Sequence, residues 1–299
     1  MKSAAFIFWA MSFCLGMGSA QEAKSKATPD FPPDIRVQRG VSFLAAGRGQ
    51  QADLYFPLTL PKGQKLPAVV LIHGGGWVGG KRDAGREINI GSNLARHGYV
   101  TMSIEYILAD KKRAVWPTNL WDCKTAVRWL RKNSERLGVD PDRIGVVGGS
   151  AGGHLAAMVA LTTPADGLDP AEPLGEVSCG VNCCVDFYGI SDIGTYHDAS
   201  MLGKTFAEAP ELYRLASPVT YVRTNSPPML ILHGTADTTV NLRQSELLDA
   251  TLTRFGVDHH LEVIPGAVHS FDLQPPQRDL RPLVLGFLDR YLKPGQAGK

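Results

Sequence analysis

A chain of 299 residues with 44% hydrophobic content can bury one large core, and a single α/β domain of that size is ordinary. Its formal net charge is +2 with 20% charged residues and no basic run, which argues against a nucleic-acid binder.

The amino terminus reads as an export signal. Met1-Lys2 gives a positive start, and Ala4 to Met17 is an apolar run too short to span a membrane comfortably. Gly18-Ser19-Ala20 supplies the small residues that precede a cleavage site. Residues 1–20 are therefore expected to be a signal peptide, and the mature protein to be secreted or periplasmic, with no membrane contact after cleavage. Residues 21–35, polar and proline-bearing, read as a loose leader, and residues 36–294 as one domain undivided by repeat or linker. Export leaves Cys123, Cys179, Cys183 and Cys184 open to oxidation. The spacing of the last three lacks the second ligand pair of a zinc site, so packing cysteines with at most one bridge are expected.

Val37 to Leu44 and Ala52 to Leu58 read as two strands in a hairpin-like antiparallel start. Pro67 to His73 is a continuous apolar, β-branched run, the pattern of a strand covered on both faces. A helix over Arg86–His97, a strand over Tyr99–Tyr106 and an amphipathic helix over Asn119–Leu137 follow. Next come a strand at Ile144–Gly149, a helix at Ala151–Leu161, a proline- and glycine-rich connection at Thr162–Glu176 and a strand at Val181–Tyr188. Gly189 to Pro228 has no periodicity and reads equally as a binding loop or lid and as plain surface packing. A strand at Met229–Thr235, a helix at Leu242–Phe255, a strand at His260–Ile264 and a helix at Asp279–Leu292 complete the chain. Strands alternating with helices predict an α/β fold, a mostly parallel central sheet with helices on both faces.

Gly148-Gly-Ser-Ala-Gly152 matches G-x-S-x-G between a predicted strand and a predicted helix. A nucleophilic serine at such a corner has strained backbone angles, and small neighbours leave the Ser150 hydroxyl standing clear at the top of the sheet. His73-Gly-Gly-Gly-Trp77 follows an upstream buried strand, and its glycines let the backbone turn amides inward. The amides of Gly75, Gly76 and Ala151 are the expected oxyanion donors, with that of Trp77 as a substitute. Trp77 is expected to wall the substrate pocket, and His73 to order the loop. A serine nucleophile needs a base and an acid to orient it. His269 lies after the last strand and before the last helix, where a side chain reaches the top of the sheet. His154 is expected to pack in its helix and His233 to end a strand as His73 does; His197, His259 and His260 have no supporting context. Asp237 follows the penultimate strand and gives the chain order Ser, Asp, His; Asp186 and Asp192, after an earlier strand, are the competing acids.

These segments resemble those of the α/β-hydrolase esterases. Within them the chain is similar to the bacterial feruloyl-esterase and acetyl-xylan-esterase-like group, a neighbour of the hormone-sensitive-lipase group. Tyr106-Ile-Leu-Ala109, Asp122 before Ala126-Val-Arg-Trp-Leu130, Asp186-Phe-Tyr-Gly189 and Ala216-Ser-Pro-Val219 fit the same pattern, so the resemblance covers roughly Ala52 to Leu292. It departs at Gly149, where the hormone-sensitive-lipase group usually has Asp, and that group's extended N-terminal helical cap is not evident. The resemblance implies an α/β-hydrolase catalytic domain over residues 36–294 and a serine esterase with a Ser150-Asp237-His269 triad. It also implies substrate contacts at Trp77 and Tyr106, and neither cofactor nor metal. Short-chain acetyl or feruloyl esters, of small molecules or of plant polysaccharides, are the expected substrates. The alternatives are a peptidase of the prolyl-oligopeptidase type, which shares the triad order but resembles longer chains with a propeller, and a non-catalytic binding module. Oligomeric state is not legible.

Overall fold

Apolar side chains alternate along each central strand, and this alternation divides the core in two. In the computed structural model, which describes residues 1, 30–59, 63–196 and 199–293, Ala68, Val70 and Ile72 face one cluster and Val69 and Leu71 the other. The signal peptide, most of the leader and His197 lie outside the described residues. All described elements belong to the second of two units, Met1–Asp30 and Phe31–Lys299.

The strands are β1 (Ile35–Ser42), β2 (Gln51–Pro57), β3 (Leu66–Ile72), β4 (Val100–Ile104), β5 (Val139–Gly149), β6 (Cys184–Phe187), β7 (Met229–Gly234) and β8 (His259–Ile264). They form one sheet in the order β1-β2-β4-β3-β5-β6-β7-β8. β2 pairs antiparallel with both β1 and β4, and every later pairing is parallel. Parallel neighbours need crossovers, and helices supply them. The helices are α1 (Gly85–Arg96), α2 (Thr118–Lys132), α3 (Ser134–Leu137), α4 (Ala151–Leu161), α5 (Pro210–Leu215), α6 (Arg243–Arg254) and α7 (Arg281–Leu292). α1 sends Ile90 and Leu94, and α7 sends Val284 and Leu288, into one cluster. α2, α4 and α6 pack on the opposite face, through residues such as Leu130, Leu155 and Leu248. The sheet is thus covered on both sides, the arrangement that the continuous apolar strands require.

Several boundaries move for local reasons. The helix expected over Asn119–Leu137 is broken at Asn133, whose side-chain amide donates back to the Trp129 carbonyl at 2.9 Å, and Gly138 ends the short α3 at φ 68°. The strand expected over Val181–Tyr188 shrinks to β6 because Asn182 turns its side-chain oxygen to the Ile144 amide at 2.9 Å and Tyr188 takes φ 43°. The leader expected to run loosely to residue 35 is tied down earlier. The Phe31 ring meets Tyr55 edge-on at 5.8 Å, Asp34 pairs with Arg96 at 2.7 Å, and Ile35 is buried as the first residue of β1. Cys123, Cys179, Cys183 and Cys184 are all buried free thiols, so no disulfide joins the described residues. No helix among the described residues is long and apolar enough to cross a membrane.

Candidate active site

The register of the parallel strands brings four carboxyl-terminal loops together. Ile72 of β3 is level with Gly148 of β5, Gly149 with Phe187 of β6, and Gly234 of β7 with Ile264 of β8. Ser150 stands at the corner between β5 and α4 with φ 57° and ψ −124°, a backbone conformation that a non-glycine residue adopts only under constraint. Its amide donates to the Phe187 carbonyl at 2.9 Å and its own carbonyl accepts the His154 amide at 3.0 Å, so β6 and α4 hold the corner. The corner also depends on close backbone approach. A Cβ on Gly152 would lie 2.2 Å from the Ile72 carbonyl oxygen and 2.5 Å from that of His73. Gly152→Ala is therefore expected to cost about 3 kcal/mol or more, since these atoms are backbone and cannot swing aside. A denaturant midpoint within error of wild type would show that the corner is looser than this.

His269 Nε2 lies 2.9 Å from Ser150 Oγ, and His269 Nδ1 lies 2.7 Å from Asp237 Oδ2. A carboxylate only accepts, so Nδ1 carries the proton and Nε2 is left to accept from the serine hydroxyl. Asp237 is held by more than His269. Its Oδ1 accepts the amides of Thr239 at 2.8 Å and Val240 at 2.9 Å, and His233 Nε2 stands 3.3 Å from Oδ2. Burial alone would raise this carboxyl. The hydrogen bonds from His233, His269, Val240 and Thr239 outweigh burial and hold it well below the ordinary carboxylate range.

The other described histidines are committed elsewhere. His154 is fully buried; its Nε2 donates to the Ala216 carbonyl at 2.8 Å and its Nδ1 accepts the Trp77 indole N–H at 3.2 Å. Burial drives its pKa down to about 4, in keeping with that neutral tautomer. His233 donates Nε2–H to the Val240 carbonyl at 2.9 Å and meets Ser245 Oγ at 2.7 Å through Nδ1. His73 donates Nδ1–H to the Gly74 carbonyl at 2.7 Å, and burial lowers its pKa. His259 and His260 face Val257 and Glu262, away from Ser150. Of the competing acids, Asp186 is buried within β6 and pushed up to about 7 by burial, and Asp192 caps a short 3₁₀ turn through the Gly194 amide at 2.8 Å. Neither touches His269.

The glycine loop follows β3 with Gly75 at φ 115°, Gly76 at 59° and Trp77 at 61°. Its turn is closed by the Gly75 carbonyl, which accepts the amides of Val78 at 3.1 Å and Gly79 at 2.9 Å. Among the described residues, the amides of Gly75, Gly76 and Ala151 donate to no protein acceptor, and Gly75 and Gly76 line the cleft in front of Ser150. The cleft encloses about 370 Å³.

Two expected substrate contacts are corrected. Trp77 does not wall the cleft: its ring is 0% exposed and packs behind the glycine loop, because the buried indole N–H finds its partner in His154 there. Tyr106 is also buried behind the loop, stacked on His73 at 4.4 Å with its hydroxyl on the His73 carbonyl at 3.1 Å. Both brace the loop. The cleft is instead lined by Lys81, Arg86, Glu87, Tyr188, Tyr196 and Thr239, none of which sequence reasoning singled out. Only Tyr188, at the end of a strand inside Asp186-Phe-Tyr-Gly189, carried a signal, its position. The segment Gly189–Pro228 contributes Tyr196, and it buries Ala216 against His154. Among the described residues no group of three or more His, Cys, Asp or Glu gathers to hold a metal.

An eight-stranded, mostly parallel sheet with a strained serine, a histidine and an aspartate on its carboxyl-terminal loops defines an α/β-hydrolase fold of the esterase kind. Residues 52–252 match the BD-FAE family, and the chain belongs to it. Among curated relatives, the esterase LipQ of Mycobacterium tuberculosis is 31% identical over 76% of this chain and 55% of its own length. An ethyl acetate hydrolase of Pseudomonas putida is 30% identical over 77% of this chain and 79% of its own. The chain spans about half the length of LipQ and of LipC, another esterase of the same organism. Among solved structures, a truncated carbohydrate esterase from gut microbiota superposes with a TM-score of 0.79 at 23% identity, over 88% of this chain and 99% of that one, a likeness of fold. Esterase 2 of Thermogutta terrifontis, solved phosphorylated by paraoxon, superposes with a TM-score of 0.72 at 26% identity over 88% of this chain and 96% of that one.

Proposed function

We propose that the protein is a serine carboxylic-ester hydrolase that acts through an acyl-enzyme on short acyl esters, acetyl above all, outside the cytoplasm. The observation that carries this reading is the unbroken series Ser150–His269–Asp237, at 2.9 and 2.7 Å, opening on a cleft bordered by unpartnered glycine amides. Ser150 Oγ attacks the ester carbonyl while His269 Nε2 takes its proton. The amides of Ala151, Gly75 and Gly76 receive the developing oxyanion; loss of one such donor typically costs about a hundred- to thousandfold in rate. His269 then protonates the departing alcohol, and water, activated by the same nitrogen, releases the acid. Paraoxon modification of a related esterase and the ethyl acetate hydrolase among the relatives support this chemistry. The export signal read from residues 1–20 supports the location.

The lining of the cleft supports the preference for short chains. Ala84 is the one aliphatic side chain among its lining residues; the rest are glycines, charged or hydroxyl-bearing groups and His. Beyond the rings of Tyr188 and Tyr196, a long acyl chain would find little aliphatic wall to lie on. Along a series of acetyl, butyryl, octanoyl and decanoyl esters, kcat/KM should peak at acetyl or butyryl and fall at least roughly tenfold by octanoyl. A steady rise to decanoyl would overturn the short-chain reading, whereas feruloyl esters hydrolysed faster than acetyl would move the substrate to the hydroxycinnamates. Covalent labelling by a fluorophosphonate tests the alternative of a non-catalytic module, which should not label.

A further inference from the structure

The donors expected at the oxyanion hole stand on two different elements. Ala151 opens α4 directly after the nucleophile, whereas Gly75 and Gly76 lie on the loop after β3. Such a hole works only if the two sets keep their separation to within about 0.5 Å. Gly152 fixes the root of the loop by its close approach to the Ile72 and His73 carbonyls. Nearer the donors, a side-chain hydrogen bond joins the two elements. Trp77, the residue after Gly76, donates its indole N–H to His154 Nδ1 at 3.2 Å, and its carbonyl accepts the Ala109 amide at 2.8 Å. His154 stands one turn along α4 from Ser150, with its own amide on the Ser150 carbonyl at 3.0 Å. The imidazole is therefore carried by the same helix as Ala151 and grips the same loop as Gly75 and Gly76.

His154 can accept the indole N–H only as the tautomer with a bare Nδ1. The other nitrogen selects that tautomer, because Nε2–H donates to the Ala216 carbonyl at 2.8 Å. Burial opposes a second proton on the ring. The Trp77 and Trp116 rings flank it, with centroids at 5.3 and 6.1 Å, and the fully buried His154 reaches no substrate. We propose that His154 is a positioning residue: through Trp77 it holds Gly75 and Gly76 at the separation from Ala151 that the oxyanion requires, and the Ala216 carbonyl, from the segment Gly189–Pro228, keeps it in the tautomer that can do so. This rests on the ester-hydrolase reading and adds to it the device that keeps the hole assembled.

Three variants of the full chain separate the hydrogen bond from packing. Trp77→Phe keeps a ring and removes the donor. His154→Leu fills the site and leaves the indole N–H buried without a partner. His154→Asn places a side-chain oxygen close to where Nδ1 stood and so restores the acceptor. Per active site, counted by complete fluorophosphonate labelling, kcat/KM for p-nitrophenyl acetate should fall roughly tenfold to a hundredfold in Trp77→Phe and His154→Leu, through kcat rather than KM. His154→Asn should recover most of that loss. Trifluoroacetone is the second probe: Ser150 Oγ adds to its carbonyl, the serine proton passes to His269, and the new oxyanion enters the hole. Its inhibition should weaken by about the same factor as kcat/KM falls. The acid limb of the pH profile, which reports the base, should stay in place, since these substitutions leave His269 and Asp237 untouched. Nitrogen NMR of the histidine-labelled wild type should show, as the signals missing from His154→Asn, a neutral imidazole protonated at Nε2. Four results overturn the proposal: wild-type rates and ketone inhibition in folded Trp77→Phe, a His154→Asn as slow as Trp77→Phe, the opposite tautomer, or an acid limb that moves with the rate and so puts the fault in the triad. If His154→Leu does not fold, Trp77→Phe and His154→Asn decide. A wild type that neither hydrolyses the ester nor takes the label defeats the ester-hydrolase reading itself.

Discussion

Ser150→Ala should lose ester hydrolysis by roughly a millionfold in kcat, the scale seen when a triad nucleophile is removed from a serine hydrolase. The loss follows from geometry: among the described residues, Ser150 Oγ is the one hydroxyl hydrogen-bonded to His269 Nε2, at 2.9 Å, so no neighbouring group inherits the attack. Stability should barely change. The side chain makes a single hydrogen bond at the edge of a cleft, and alanine bears the same strain at φ 57° as serine does. The measurement is hydrolysis of p-nitrophenyl acetate by purified variant and wild type, with thermal unfolding followed by circular dichroism. Residual activity above a few per cent in a folded variant would mean that another nucleophile does the work.

What was legible in the sequence was whatever is written in contiguous residues. The corner around Ser150, the glycine run after β3, and the loops after β7 and β8 each combine a strand signal with an adjacent polar residue, and their order along the chain fits one topology. Side-chain direction within a loop is a different matter. Trp77 sits in a segment that faces the cleft, yet its left-handed φ and the need to satisfy a buried indole turn the ring to His154. Tyr106 follows a strand that ends at Ile104, and its ring stacks behind the loop on His73. Nothing in local pattern distinguishes these outcomes from a ring in the pocket. Arg86 and Glu87 were invisible for the opposite reason. Helical periodicity at Ile88, Ile90 and Leu94 marks the buried stripe of α1, while the first-turn residues owe their place to where the glycine loop ends. The burial of β3 on both faces, by contrast, is readable because the run from Leu66 to Ile72 holds no polar position.

Asp237→Asn should preserve the fold and cost about ten-thousandfold in kcat, the effect of the same change in a comparable triad. The hydrogen bonds around Asp237 say why. Oδ1 accepts two backbone amides, from Thr239 and Val240, so an asparagine must place its carbonyl oxygen there. Its NH2 then occupies the Oδ2 position, facing His269 Nδ1 and the His233 Nε2–H. A donor at that point favours the tautomer of His269 with Nδ1 bare and Nε2 protonated, which cannot take the Ser150 proton. Asp186→Asn and Asp192→Asn should cost much less. Asp186, raised to about 7 by burial, is not hydrogen-bonded to His269, and Asp192 serves a turn. The stability of the three variants should also differ with pH. The Asp237 carboxyl titrates below its ordinary value, so its contribution is fully present above about pH 4 and is lost as pH falls toward its lower folded value. Wild type should therefore lose stability in acid more steeply than Asp237→Asn, which has no such group to protonate. The measurements are kcat/KM on a short-chain ester and denaturant midpoints between neutral pH and pH 3. If Asp186→Asn or Asp192→Asn is the folded, inactive variant while Asp237→Asn stays near wild type, then Asp237 does not orient the base.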